Sequence, residues 1–123
     1  MSQIRSFTDL STGKEAHKLV LMIYEVTRRF PNEEKFGLVN QLRRAIVSVT
    51  SNIAEGFSRN TNKEKVQFYY MALGSLTEVQ NQLIIAKDIT YLDKRQFEKL
   101  IQQVTTVSKL LNGVIKSAKN MSR

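Results

Sequence analysis

A chain of 123 residues is long enough for one ordinary domain and too short for two. It contains no cysteine, which excludes disulfides, thiolate nucleophiles and thiolate metal sites. A net charge of +8, from 19 Lys and Arg against 11 Asp and Glu, sets up a field that attracts polyanions such as RNA, DNA or acidic protein surfaces without reading their sequence.

Residues Met1 to Leu10 mix Arg5 and Asp9 with polar residues and lack the apolar stretch of a signal peptide. The longest apolar run, Leu19 to Tyr24, falls far short of a membrane span. The expectation is a cytoplasmic protein with no membrane partner.

Four blocks then repeat apolar residues at helical spacing. The first carries Ala16, Leu19, Ile23, Val26 and Phe30, with Thr12 and Glu15 spaced as a capping box and Pro31 as its stop. The second opens at Asn32, a good N-cap, with Glu33 and Glu34 at the positive end of the helix dipole. It lines up Leu38, Leu42, Ala45, Ile46, Val49 and Ile53, and Gly56 stands where a terminating glycine is favoured. The third follows a Thr61–Glu64 capping pair with Tyr69, Ala72, Leu76, Val79, Leu83 and Ala86. The fourth opens with Asp93 and Gln96 and keeps a heptad through Phe97, Leu100, Val104, Val107, Leu111, Val114, Ala118 and Met121. These signals predict one all-α domain over residues 1–123, with helices near 12–30, 33–55, 62–88 and 94–119. Short connections force neighbours to alternate in direction, which predicts an antiparallel up-down-up-down four-helix bundle.

The usual reactive patterns are missing. The lone His17 has no Glu-x-x-His companion, so no metal site is expected. No glycine-rich phosphate loop or nucleophile elbow occurs, and Glu33–Glu34, the one adjacent carboxylate pair, sits at a helix start. The chain is expected to be no enzyme and to carry no cofactor.

A polar stripe runs beside the apolar one on the second helix, through Arg44, Ser48, Asn52 and Glu55. The third helix offers Gly74, Ser75 and Glu78 opposite it, with the Arg44 level facing Leu73 to Ser75. One reading makes this a hydrogen-bonded seam that fixes helix register, with an Arg44–Glu78 pair and close backbones at Gly74 and Ser75. The other reading makes it a small-molecule or catalytic site, although it lacks a group that titrates near neutrality.

The strings Phe30-Pro31-x-x-Glu34-Lys35-Phe36-Gly37-Leu38, Gln41-Leu42-Arg43-Arg44-Ala45-x-x-Ser48, Ser51-Asn52-Ile53-Ala54-Glu55-Gly56-x-x-Arg59 and Ala72-Leu73-Gly74-Ser75-Leu76-x-Glu78 resemble one family. It is the four-helix bundle family named after the 23S rRNA intervening sequence protein, and the likeness runs from about residue 7 to 118. A tryptophan or similar aromatic that the family carries near the start of helix one is absent. The resemblance implies an up-down bundle that assembles as a ring-like homopentamer. Relatives include the accessory protein of diversity-generating retroelements, a basic pentamer that binds a reverse transcriptase and nucleic acid.

Charge is unevenly spread: residues 93–123 hold 7 basic and 2 acidic residues, more than half of the whole excess. Arg95, Lys99, Lys109 and Lys116 share a stripe away from the apolar seam, with Lys94, Lys119 and Arg123 nearby. In a ring this stripe repeats, and avidity multiplies weak phosphate contacts. Tyr69, Tyr70 and Tyr91 lie in or beside the least charged block, so backbone contact without base stacking is expected. Two functions remain open. One is a homo-oligomeric module binding structured RNA or DNA. The other is a protein-interaction scaffold or accessory subunit with an acidic partner and no direct nucleic-acid binding; the resemblance suggests a reverse transcriptase or another protein as partner.

Overall fold

The computed structural model describes residues 10–121, and all regular structure among them is helical. The helices are α1 (Ser11–Thr27), α2 (Leu38–Ser58), α3 (Asn62–Asp88) and α4 (Lys94–Met121), with a short 3-10 turn at Asn32–Glu34. They pack as a four-helix bundle. Helix α3 lies against α2 and α4, α1 lies against α2 and α4, and among the described residues the diagonal pairs make no close backbone approach. Paired residues rise along one helix as they fall along the next: Ser48 meets Ser75 and Gly56 meets Tyr69, while Lys119 meets Tyr70 and Lys87 meets Phe97.

The core is the apolar stripe of each helix. Leu19, Ile23, Leu42, Ile46, Val49, Ile53, Val79, Leu83, Leu100, Val107 and Leu111 are sealed from solvent. One substitution of register occurs late in α4, where Ile115 is buried, Val114 only half-buried, and Met121 is 71% exposed. A strict heptad drifts around a straight helix of 3.6 residues per turn, so the buried stripe moves from the expected 114 to 115.

Helix starts differ in how they are capped. Thr61 Oγ1 accepts from Glu64 N at 3.2 Å at α3. At α4 the box is reciprocal: Gln96 N donates to Asp93 Oδ1 at 2.7 Å and Asp93 N donates to Gln96 Oε1 at 3.0 Å. The Thr12–Glu15 box does not form. Leu10 is the N-cap, Thr12 is buried inside the first turn, and Gln103 Nε2 of α4 donates to both the carbonyl and the carboxylate of Glu15 at 2.9 and 3.0 Å. A partner on another helix has taken the group that a local cap would use. That hydrogen bond also lowers the Glu15 pKa, ahead of the contribution from Lys18.

The expected second helix is broken at its start. Asn32 supplies no cap, and Glu33 and Glu34 belong to the 3-10 turn. Gly37 leaves helical geometry at φ −108° and ψ −114°, and α2 begins only at Leu38. A side chain at Gly37 would place its Cβ 2.7 Å from Glu34 Oε1, the oxygen that accepts from Leu38 N at 3.2 Å. Glycine thus admits the carboxylate that caps α2.

At the other end, Gly56 does not terminate α2, which continues to Ser58. Its role is close packing: an added Cβ would lie 2.6 Å from Tyr69 Cε1 and 3.2 Å from Phe68 Cβ. Lys65 Nζ then closes the helix by donating to the carbonyls of Gly56 and Phe57 at 3.2 and 2.6 Å. Helix α3 ends in a Schellman arrangement, with Tyr91 N donating to Ala86 O at 2.8 Å and Thr90 N to Lys87 O at 3.0 Å. Thr90 sits there at φ 69°, a left-handed position that a β-branched residue adopts at a cost.

Candidate nucleic-acid interface

Helix α4 buries Leu100, Val104, Val107, Leu111, Ile115 and Ala118. The cations fall between those positions, and Lys94, Arg95, Lys99, Lys109, Lys116 and Lys119 are all exposed. Arg123 lies outside the described residues. The ion pairs among the described residues are Lys18–Glu15, Arg28–Glu25 and Arg59–Glu55, so no α4 cation is neutralised by one. The result is a solvent-facing row of ammonium and guanidinium groups on a rigid rod, which suits phosphates spaced along a backbone.

Tertiary packing adds an aromatic, Tyr70, that the sequence separates from Lys119 by 49 positions. Lys119 Nζ donates to the Tyr70 hydroxyl at 2.6 Å and lies 4.9 Å from the ring centre. Those two distances place the ammonium beside the phenol oxygen rather than over the middle of the ring. Tyr70 is 47% exposed and, with Lys63, Val66, Gln67 and Lys119, lines a hollow of about 500 Å³. The expectation that no aromatic accompanies the basic residues is therefore corrected for Tyr70. Tyr69 points the other way, buried against Gly56, and desolvation raises its pKa. Tyr91 is tied to Glu34 in the loops.

On the opposite flank of α4, Lys99 and Gln96 face Lys18 and Glu25 of α1 across an apolar floor of Leu21, Met22, Val26 and Leu100. Leu21 is 58% exposed.

The polar stripe of α2 meets α3, in a register shifted from the expected one. Ser48 Oγ and Ser75 Oγ are hydrogen bonded at 2.8 Å, and Asn52 Nδ2 donates to the carbonyl and hydroxyl of Ser48 at 2.9 and 3.2 Å. Because α2 runs on to Ser58, Ser48 rather than Arg44 faces Ser75, and Arg44 reaches the level of Glu78. Even so, Arg44 and Glu78 form no ion pair; both are exposed and open onto the same surface groove. Glu55 instead pairs with Arg59. Gly74 is exposed, and a Cβ added there meets nothing within 4 Å, so it permits no special backbone approach. The buried ion pair is thus absent: the seam lies at the surface, where long side chains splay into solvent.

The neighbouring Arg43, which sequence reasoning passed over, is the bonded arginine. Its Nε donates to Thr27 Oγ1 at 3.0 Å, its Nη2 to Tyr24 O at 3.4 Å, and its guanidinium covers the Tyr24 ring at 4.5 Å. It therefore binds the last turn of α1 to α2. His17 is exposed, and no group of three or more His, Cys, Asp or Glu among the described residues is placed to hold a metal. No described helix is long and apolar enough to cross a membrane.

Residues 8–113 match the sequence pattern of a family described as 23S rRNA-intervening sequence protein. The chain belongs to that family. Its fold is similar to the crystal structure of a protein of unknown function from the S23 ribosomal protein family of Bacteroides thetaiotaomicron. The TM-score is 0.79 and the identity 23%, over 85% of this chain and 95% of that one. No curated protein matches the sequence. This 23S rRNA-intervening sequence family member shares with that protein a four-helix architecture, and α4 with its cationic face lies mostly inside the matched range.

Proposed function

We propose that this family member is a non-catalytic, homo-oligomeric module that binds the phosphate backbone of structured RNA or DNA through the outward face of α4. The observation that carries the reading is the row from Lys94 to Lys119, exposed and without one ion pair, on the segment holding most of the excess charge. Lysine ammonium groups act as point charges and favour backbone contact over base reading. Assembly into a ring, which the family resemblance implies as a pentamer, repeats the row and raises avidity without new contacts. Tyr70 extends the row with a flat apolar face beside Lys119 and Lys63.

A second reading, a scaffold or accessory subunit for an acidic partner protein, is favoured by the α1–α4 groove. Its apolar floor, edged by Lys18, Lys99 and Glu25, suits an amphipathic helix that sets an acidic residue against Lys99.

Filter binding to a structured RNA, run beside light scattering, separates the two. Reversing Lys99, Lys109 and Lys116 to glutamate is expected to abolish RNA binding with the helical content and oligomer intact. RNA affinity retained by that variant would move the site elsewhere. Wild-type protein that binds no RNA at low salt would favour the protein partner.

A further inference from the structure

We propose that the hollow beside Tyr70, at the end of the α4 row, receives one unpaired nucleotide of the bound nucleic acid, with its base stacked on the Tyr70 ring. The inference rests on α4 being the phosphate-binding face. It names the class of polynucleotide that this face takes: one with a single-stranded end or bulge beside its paired segment. The hollow holds about 500 Å³ between the first turns of α3 and the last turns of α4, and Lys63, Val66, Gln67, Tyr70 and Lys119 line it. Tyr70 is exposed, while Val66 is half-buried and packs against the core.

Three features distinguish the hollow from a scatter of exposed side chains. The ring is held in place: Lys119 Nζ donates to the Tyr70 hydroxyl at 2.6 Å, so α4 fixes the far end of a side chain carried by α3. At 4.9 Å from the ring centre, the same ammonium lies beyond the hydroxyl edge and not above the ring. A ring already fixed loses little further freedom when a base stacks on it. The lining also holds two cations and no carboxylate, whereas the groove on the other flank of α4 includes Glu25. Finally, Lys116 precedes Lys119 by about one helical turn, so the hollow continues the row.

Together these features select the ligand. A flat ring beside the aliphatic Val66 takes a planar base, and this stacking tolerates any base because each has a π-face. The two ammonium groups take the phosphates that flank it. Lys119 has three donors and uses one on Tyr70, which leaves two for a phosphate. A bare phosphate gains nothing from Tyr70 and Val66, and an uncharged ring compound gains nothing from the lysines. Inside a duplex a base is covered by its neighbours, so an unpaired nucleotide is what reaches the ring. A free mononucleotide has the same chemistry but lacks the contacts along α4 that raise the effective concentration of a tethered one.

The test compares two labelled RNA hairpins on the full-length protein. One carries a short adenosine overhang, and the other carries an abasic overhang of the same length, so the phosphates match and only the bases differ. The adenosine overhang is expected to bind about fivefold or more tightly, the gain for one stacked base. Tyr70→Ala should bring that ratio close to unity, whereas Tyr70→Phe, which keeps the ring, should preserve it. Lys109→Glu with Lys116→Glu should weaken both RNAs alike and leave the ratio in place, which separates stacking from the α4 contacts. A ratio near unity in the wild-type protein, with both RNAs bound, would overturn the stacking subsite and leave the α4 face standing. Binding of neither RNA would overturn both. An equal ratio in wild type and Tyr70→Ala, or its loss in Tyr70→Phe, would also refute the stacking. Free adenosine monophosphate at equal concentration is expected not to displace the overhang RNA; displacement would assign the hollow to a free nucleotide instead.

Discussion

The Tyr91 hydroxyl donates to Glu34 Oε2 at 2.7 Å, joining the α1–α2 connection to the α3–α4 turn across 57 residues of chain. The same carboxylate caps α2 through its other oxygen, and Tyr91 packs its ring against Phe30 at 5.2 Å between centroids. That end of the bundle is thus tied together by an acid–phenol hydrogen bond and an aromatic pair. The bond lowers the Glu34 pKa, with the Leu38 amide as the second cause, and raises that of Tyr91.

The pH dependence follows from those directions. Glu34 is held below its ordinary 4.5, so its contribution is present above that value and is lost as pH falls through the lowered one. Tyr91 is held above its ordinary 10.0, so its contribution is present below that value and is lost as pH rises through the raised one. Urea midpoints of wild type and Tyr91→Phe across pH test this. The variant should show a shallower alkaline arm, the remainder coming from buried Tyr69, and a shallower acid arm, the remainder coming from Leu38 N on Glu34 and Gln103 on Glu15. Parallel curves for the two proteins would show that the contact carries no proton linkage.

Gly56→Ala should destabilise by about 1–3 kcal/mol, the range for overpacking a close contact. Its Cβ would sit 2.6 Å from the Tyr69 ring, which is buried and has little room to withdraw. Chemical denaturation measures it, and Gly74→Ala, which meets open space, is the control. That control should be neutral or slightly stabilising, since alanine exceeds glycine in helix propensity by about 1 kcal/mol.

Adjacent arginines should separate sharply. Arg43→Ala removes two hydrogen bonds and a cation–π contact to α1, and a loss of about 1–3 kcal/mol is expected. Arg44→Ala, at an exposed and unpaired position, should stay within about 0.5 kcal/mol of wild type. Melting temperatures of the two single variants provide the comparison.

Thr90→Gly should stabilise the protein, by up to about 1 kcal/mol. It relieves a β-branched residue at φ 69° while giving back some chain entropy. The gain should appear as a higher Tm with helical content unchanged.

The four helices, their stripes and the α3 and α4 caps were legible because those signals are local. Thr61 and Asp93 find their partners three residues away. What was hidden depends on distant residues. Gln103 diverts Glu15 from a local cap, Glu34 reaches Tyr91 and Leu38 only because Gly37 makes room, and Gly56 answers to Tyr69. The same holds at the surface. The α4 cations could be read from spacing, whereas Tyr70 joins Lys119 only through the α3–α4 packing. Arg44 and Arg43 are neighbours in sequence, and helical rotation by one residue decides which of them faces α1.

The salt dependence of RNA binding tests the phosphate-binding face most directly. Apparent affinity for a fluorescently labelled RNA hairpin, measured across salt concentrations, should fall linearly on a log–log plot, by about 0.7–0.9 log units per neutralised phosphate. Lys109→Glu with Lys116→Glu should flatten that slope without altering the fold. A slope near zero for the wild-type protein, or one that the double variant leaves unchanged, would contradict the assignment of α4 as the phosphate-binding face.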